Sequence, residues 1–183
     1  MPKLFAAALL ALAATASVRV VDLENRTIDP LQANAGAKAV VFLFTATDCP
    51  ISNRYAPEIQ RLYQAYADKG VKFFLIYPSP ADTPALIREH AKSFGYPAEA
   101  LRDPKQALAK FVGATITPEA AVYAGGRVAY RGRIDDRVVD LGLERPAATK
   151  HDLADALAAI VAGKPVAQST TQAVGCFIAD LAR

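Results

Sequence analysis

Residues 37–55 read Ala37-Lys38-Ala39-Val40-Val41-Phe42-Leu43-Phe44-Thr45-Ala46-Thr47-Asp48-Cys49-Pro50-Ile51-Ser52-Asn53-Arg54-Tyr55. From Ala37 to Thr45 the run is dense in Val and Phe, follows Gly36, and is too short for a helix. Apolar residues at consecutive positions are the mark of a strand buried on both faces. Cys49 lies just past its carboxyl end. From Ser52 to Lys69 the apolar positions Tyr55, Ile59, Leu62, Tyr63 and Tyr66 recur at helical spacing, and Gly70 stops the helix. A second apolar run, Val71 to Tyr77, follows at once. Strand, helix, strand in this succession is a βαβ unit, with parallel strands and a right-handed crossover. Cys49 therefore sits at a strand-to-helix junction.

Upstream, Val18 to Leu23 has strand character and Asn25-Arg26-Thr27 offers a turn, which predicts an N-terminal β-hairpin. Downstream, a helix over Thr83 to Phe94 follows the break at Pro78, Pro80 and Pro84, and a shorter one runs from about Pro104 to Val112. Ala120 to Tyr123, the turn at Gly125-Gly126 and Val128 to Tyr130 make a second hairpin. Ile134 to Thr149 is polar and aperiodic and reads as a long ordered loop. His151 to Val161 is a last amphipathic helix, stopped by Gly163 and Pro165. The expected fold is α/β, a central mixed β-sheet flanked by helices, with an N-terminal β-hairpin and a C-terminal tail that carries Cys176.

With 183 residues, 52% of them hydrophobic, the chain suits one globular domain. A net charge of +3 with 21% charged residues is too small an excess to expect a nucleic-acid partner. Met1 to Ser17 carries Lys3, the apolar run Leu4 to Ala14 and the small-x-small pattern Ala14-Thr15-Ala16, the arrangement of a secretory signal peptide. The run is shorter than the ~20 residues a membrane span needs. The expected division is thus a signal peptide over residues 1–16, one domain over 17–165 and the tail over 166–183, in a protein exported to the periplasm or beyond, without stable membrane insertion after cleavage. An uncleaved apolar tether is the alternative. Export makes disulfide chemistry possible for Cys49 and Cys176, the two cysteines of the chain.

A cysteine in the first turn of a helix meets unpaired N–H groups and the positive end of the helix dipole, which favour thiolate over thiol. Pro50 tolerates the lack of an N–H there, and Ser52 can cap the helix or hydrogen-bond the sulfur. A buried, inert cysteine is the alternative. Cys176 reads equally as a resolving thiol for Cys49 or as a permanent staple of the tail. His90 reads as a surface or boundary residue and His151 as a residue near a helix start. Asp135-Asp136 reads as a solvated acidic pair, with Arg133, Asp136 and Arg137 tying the loop down by ion pairs. Tyr55, Tyr63 and Tyr66 read as packing.

The order of elements, the Cys49-Pro50-Ile51-Ser52 junction and Thr117-Pro118 ahead of a hairpin resemble the thioredoxin superfamily over nearly the whole chain beyond the leader. The resemblance implies a thioredoxin-like fold in which Cys49 is the first active-site cysteine, Ser52 stands where the second would be, and Pro118 is the cis-proline that shapes a groove for an extended substrate backbone. The chain is similar in particular to the redoxin branch, the alkyl hydroperoxide reductase and thiol-specific antioxidant family. It is also similar to exported bacterial redoxin-like proteins through Asp48-Cys49-Pro50-Ile51-Ser52-Asn53-Arg54-Tyr55, Ile134-Asp135-Asp136-Arg137 and Gly175-Cys176. This implies a thiol oxidoreductase with no cofactor and no metal, acting on a protein or small-molecule disulfide or a peroxide and served by a thiol electron donor. Peroxidases of the family use P-x-x-x-T-x-x-C and an arginine. Here Ala46 takes the threonine position, Thr117-Pro118 stands where the arginine often lies, and Arg54 and Arg133 are the remaining substitutes. Thiol-disulfide exchange therefore ranks ahead of peroxide reduction. The remaining alternative is a non-catalytic copper- or partner-binding module: copper carriers of this fold use C-x-x-x-C with a distant histidine, but Asn53 takes the second position, so soft metal would need Cys176.

Overall fold

In the computed structural model, which describes residues 17–179, the apolar run forms β3 (Ala39–Phe44), buried at every position. It pairs in parallel with β4 (Val71–Tyr77), Ala39 opposite Val71 through Phe44 opposite Ile76. Between them run α1 (Pro50–Arg54) and α2 (Ala56–Tyr66), with one 3-10 turn, Ala67–Lys69, ending at Gly70 in the left-handed conformation. The expected single helix is thus two. Pro57 has no N–H to give the Asn53 carbonyl and crowds the turn before it, so the chain breaks at Tyr55 and the first turn stays a separate element.

The N-terminal hairpin is β1 (Val20–Val21) with β2 (Thr27–Ile28). After β4 come α3 (Pro84–Ser93), β5 (Glu99–Arg102) and α4 (Ala107–Val112). β5 has no counterpart in the sequence reading: Glu-Ala-Leu-Arg is short and helix-prone, and only pairing with β4 makes it a strand. Next are β6 (Ile116–Thr117), β7 (Glu119–Ala124) and β8 (Arg127–Gly132), with β7 antiparallel to both β3 and β8. The main sheet is mixed and seven-stranded, in the order β2-β1-β5-β4-β3-β7-β8.

Alternate side chains of the central strands serve opposite faces. Val41, Leu43, Phe73 and Leu75 pack with Ile59, Leu62, Ile87, Leu153 and Leu157 under α2, α3 and α5 (Asp152–Val161). Phe42, Phe44, Phe74 and Ile76 pack on the other face with Leu108, Ala109 and Val112 of α4, and with Val18, Val20 and Ile178 from the two ends of the described chain.

The segment expected as a loop contains a small hairpin, β9 (Val138–Asp140) with β10 (Leu143–Glu144). Asp135 and Asp136, read as solvated, are both buried. Asp135 accepts bonds from the Tyr55 hydroxyl at 2.8 Å and the Arg137 N–H at 2.9 Å. Asp136 accepts from the Thr149 N–H and hydroxyl, both at 2.6 Å, and from the Lys150 N–H at 2.9 Å. Those donors hold its carboxyl far below the usual range, a buried anion with its partners supplied. Arg133 pairs with Asp152 and Arg145 with Asp136, so ion pairs do tie the loop, although Arg137 instead bonds the Arg54 carbonyl.

The expected signal peptide, residues 1–16, lies outside the described residues. Among the described residues no helix is long and apolar enough to cross a membrane.

Candidate active site

The site is assembled from three parts of the chain: the end of β3, the Thr117-Pro118 turn and the tail. Cys49 is the N-cap of α1, Pro50 opens the helix, and the Cys49 carbonyl accepts the Asn53 N–H at 3.2 Å. Thr117-Pro118 is a cis peptide bond, in the position the sequence predicts. The Cys49 thiol donates to the Thr117 carbonyl at 3.3 Å. From the other side the tail folds back as β11 (Cys176–Phe177), antiparallel to β6, with Cys176 opposite Thr117 and Phe177 opposite Ile116. The two sulfurs stand 2.7 Å apart. That is longer than the ~2.05 Å of a disulfide bond and within contact distance, so that loss of two electrons and two protons to an oxidant would join the pair with little movement of either residue.

The tail reaches this position along a docked path. Ser169 and Thr171 exchange backbone hydrogen bonds with Arg131, and the Thr171 hydroxyl meets the Tyr130 hydroxyl at 2.7 Å. Gly175 is required where it stands, because a Cβ there would be 2.1 Å from the Thr117 carbonyl oxygen. Beyond the cysteine, Ile178 donates its N–H to Thr115 and buries its side chain. The edge of β6, expected to receive an extended substrate, is therefore occupied by the chain's own tail.

The two thiols differ in acidity. Burial pushes the Cys49 thiol up, but the Cys176 thiol, the Ser52 hydroxyl and N–H and the Thr117 side chain act in the opposite direction and leave it below the ordinary cysteine value. Ser52 Oγ is fully buried with no hydrogen-bond partner of ordinary geometry, so its hydroxyl is free to turn toward the sulfur. The gain comes from these direct donors, since α1 is only five residues long and adds little dipole. Burial pushes the Cys176 thiol up to about 12, and the charge and hydrogen bond of Cys49 and the charge of Asp48 add to it. The pair thus holds its first negative charge on Cys49.

Behind α1 lies a residue the sequence reading placed wrongly. His90, expected near the surface, is buried. Its Nε2 donates to Asn53 Oδ1 at 2.7 Å and its Nδ1 accepts from the Tyr77 hydroxyl at 2.9 Å, an arrangement that needs the neutral ring. Burial lowers its pKa accordingly. The signal was present in the helical stripe Ile87, His90, Ala91, Phe94, in which His90 sits at a core position. Both ring nitrogens being engaged, His90 offers no ligand atom to a metal at the cysteines. Arg54 is paired with Glu144 and Arg133 with Asp152, so neither guanidinium is offered to Cys49. His151 is the exposed N-cap of α5, and with Glu58 and Asp135 it forms the one carboxylate-histidine group near metal-binding dimensions among the described residues. Glu58 is held by Arg61 and Asp135 by Tyr55, which accounts for both.

A parallel βαβ core, a cysteine at the strand-to-helix junction and a cis-proline turn against its sulfur define a thioredoxin-like redox protein. The Redoxin family model matches residues 13–159, and the chain belongs to that family. No curated protein matches it. Among solved structures it is similar to a hypothetical protein from Sinorhizobium meliloti, at 25% identity and TM-score 0.77, covering 92% of this chain and 93% of that one. It is also similar to an uncharacterized conserved protein from Geobacillus kaustophilus, at 27% identity and TM-score 0.74, over 90% and 88%. A secreted Mycobacterium tuberculosis disulfide oxidoreductase homologous to E. coli DsbE shares the fold, at 16% identity and TM-score 0.54, over 80% and 96%.

Proposed function

We propose that this chain is an exported thiol-disulfide oxidoreductase in which Cys49 is the nucleophile and Cys176 the resolving thiol. The observation that carries the reading is the 2.7 Å approach of two sulfurs of unequal acidity beside the cis-proline turn. In the reduced form the Cys49 thiolate attacks one sulfur of a substrate disulfide. A new S–S bond forms to Cys49, the substrate bond breaks, and one substrate thiolate leaves. Cys176 then gives up its proton and attacks the Cys49 sulfur, expelling the second substrate thiolate and closing Cys49–Cys176. The Ser52 hydroxyl and N–H and the Thr117 side chain stabilise the Cys49 anion, and the cis Thr117-Pro118 turn stands beside it. Because Cys49 is only 1% exposed, the first attack requires the β11 strand to lift from β6. Export rests on the leader-like residues 1–16 and agrees with a secreted fold relative.

The departure from the peroxidase pattern at Ala46 and the pairing of Arg54 and Arg133 elsewhere favour disulfide over peroxide as oxidant. Reduced protein mixed with glutathione disulfide should release two glutathione thiols per chain and acquire one internal bond, and Cys49→Ser should abolish both. Faster consumption of hydrogen peroxide than of glutathione disulfide, in the presence of a thiol donor, would overturn the assignment in favour of a peroxidase.

A further inference from the structure

In the docked state the two sulfurs are not equally reachable. Cys49 is 1% exposed, enclosed by α1, the Thr117-Pro118 turn and the tail. Cys176 is half-buried and lines a cavity of about 250 Å³ whose wall also includes Asp48, Pro78, Pro80, Thr117 and Phe177, and to which Cys49 does not contribute. Phe177, at 82% exposure, stands at this opening as a large apolar side chain left open among the described residues.

We propose that the electron donor, a thiol without an anionic flank, enters this cavity and attacks Sγ of Cys176, displacing Cys49. This rests on the reading of Cys49 and Cys176 as a redox pair. The step balances as one thiolate in and one out: the donor sulfur bonds to Cys176 Sγ, the Cys49–Cys176 bond breaks, and its electron pair stays on Cys49 Sγ. A second donor thiolate then attacks the donor sulfur of the mixed disulfide, giving an oxidised donor pair and a Cys176 thiolate that takes a proton from solvent.

Two further features favour this direction. Thiol-disulfide exchange is faster when the departing thiol is the more acidic. Attack at Cys176 expels Cys49, whose anion is held by Ser52 and Thr117, whereas attack at Cys49 would expel Cys176, whose anion is disfavoured by burial and by the Asp48 charge. The cavity also selects its occupant: apart from Asp48 its lining is uncharged among the described residues, so a thiol attached to an apolar or cationic body fits and an anionic one is repelled.

The test uses the oxidised full-length chain, treated with substoichiometric cysteamine, quenched early in acid, alkylated with N-ethylmaleimide and digested with trypsin. The cysteines fall on separate peptides, 39–54 and 151–183. The expected result is cysteamine on Cys176 and the alkyl group on Cys49. Cysteamine on Cys49 would overturn the inference and leave the redox pair intact. No Cys49–Cys176 bond in the oxidant-treated starting protein would overturn both. With rates expressed per thiolate, the preference for cysteamine over mercaptoacetate should be severalfold at low ionic strength, and Asp48→Asn should narrow it. A preference unchanged by Asp48→Asn would contradict entry past Asp48.

Discussion

Cys49 and Cys176 are chemically the same residue, and their roles diverge through what surrounds each sulfur. Cys49 has donors on three sides, whereas Cys176 has the Cys49 sulfur and the Asp48 carboxylate as its electrostatic neighbours. Removing the Cys176 thiol deletes the largest of the stabilising donors. Cys176→Ala should therefore raise the Cys49 pKa toward the ordinary ~8.5 of a free cysteine. Thiolate absorbance at 240 nm as a function of pH reads this out, with a lower midpoint in the Cys176-containing dithiol than in the variant. An unchanged midpoint would place the acidity on Ser52 and Thr117 alone. Cys49 itself was legible in the sequence, because a buried strand that runs into a Cys-Pro helix start leaves little freedom over where the cysteine sits. The burial of Asp135 and Asp136 was not. A polar segment carries no mark of whether backbone N–H groups will gather on its carboxylates.

At the level of elements, the sequence pattern located the central strands, the hairpin turn at Gly125-Gly126 and the helix over Thr83 to Phe94 closely. Pattern reading follows single elements, so it missed β5, whose strand state comes from β4, and joined α1 to α2, which Pro57 separates. Near β5, Asp103 caps α4 by accepting the Ala109 N–H at 2.9 Å, and burial lifts its pKa to about 6 from 3.8. The folded state thus binds this proton more tightly than the unfolded one. Stability attributable to Asp103 is highest below about pH 4, falls as pH rises through 4 to 6, and stays lower above that range. Asp103→Asn keeps an acceptor for Ala109 and loses the charge. It should be more stable than the parent chain at pH 7 and gain nothing at pH 4, as urea midpoints at the two values would show.

At the scale of the whole molecule the tail is what distinguishes this chain's site. Nothing in Val166 to Arg183 announces where it docks, since its landing points, Arg131 and Thr117, are set by the sheet. Gly175 is the residue that permits the approach. Gly175→Ala should cost ~1–3 kcal/mol of tail docking through overpacking, and should slow closure of the internal bond while leaving the helical circular dichroism signal unchanged. Once closed, the bond links positions 127 residues apart, which removes much of the unfolded chain's freedom. The oxidised protein should be more stable than the reduced one by ~2–5 kcal/mol, seen as a shift in denaturant midpoint. The central claim is that this bond is an exchanging redox couple. Its most direct test is titration of the folded protein across defined dithiothreitol buffers, with peptide mapping of the Cys49–Cys176 bond. The account predicts one reversible two-electron transition that disappears in Cys49→Ser and in Cys176→Ser. Thiols that stay free under oxidant, or a bond that survives strong reductant in the folded state, would contradict it.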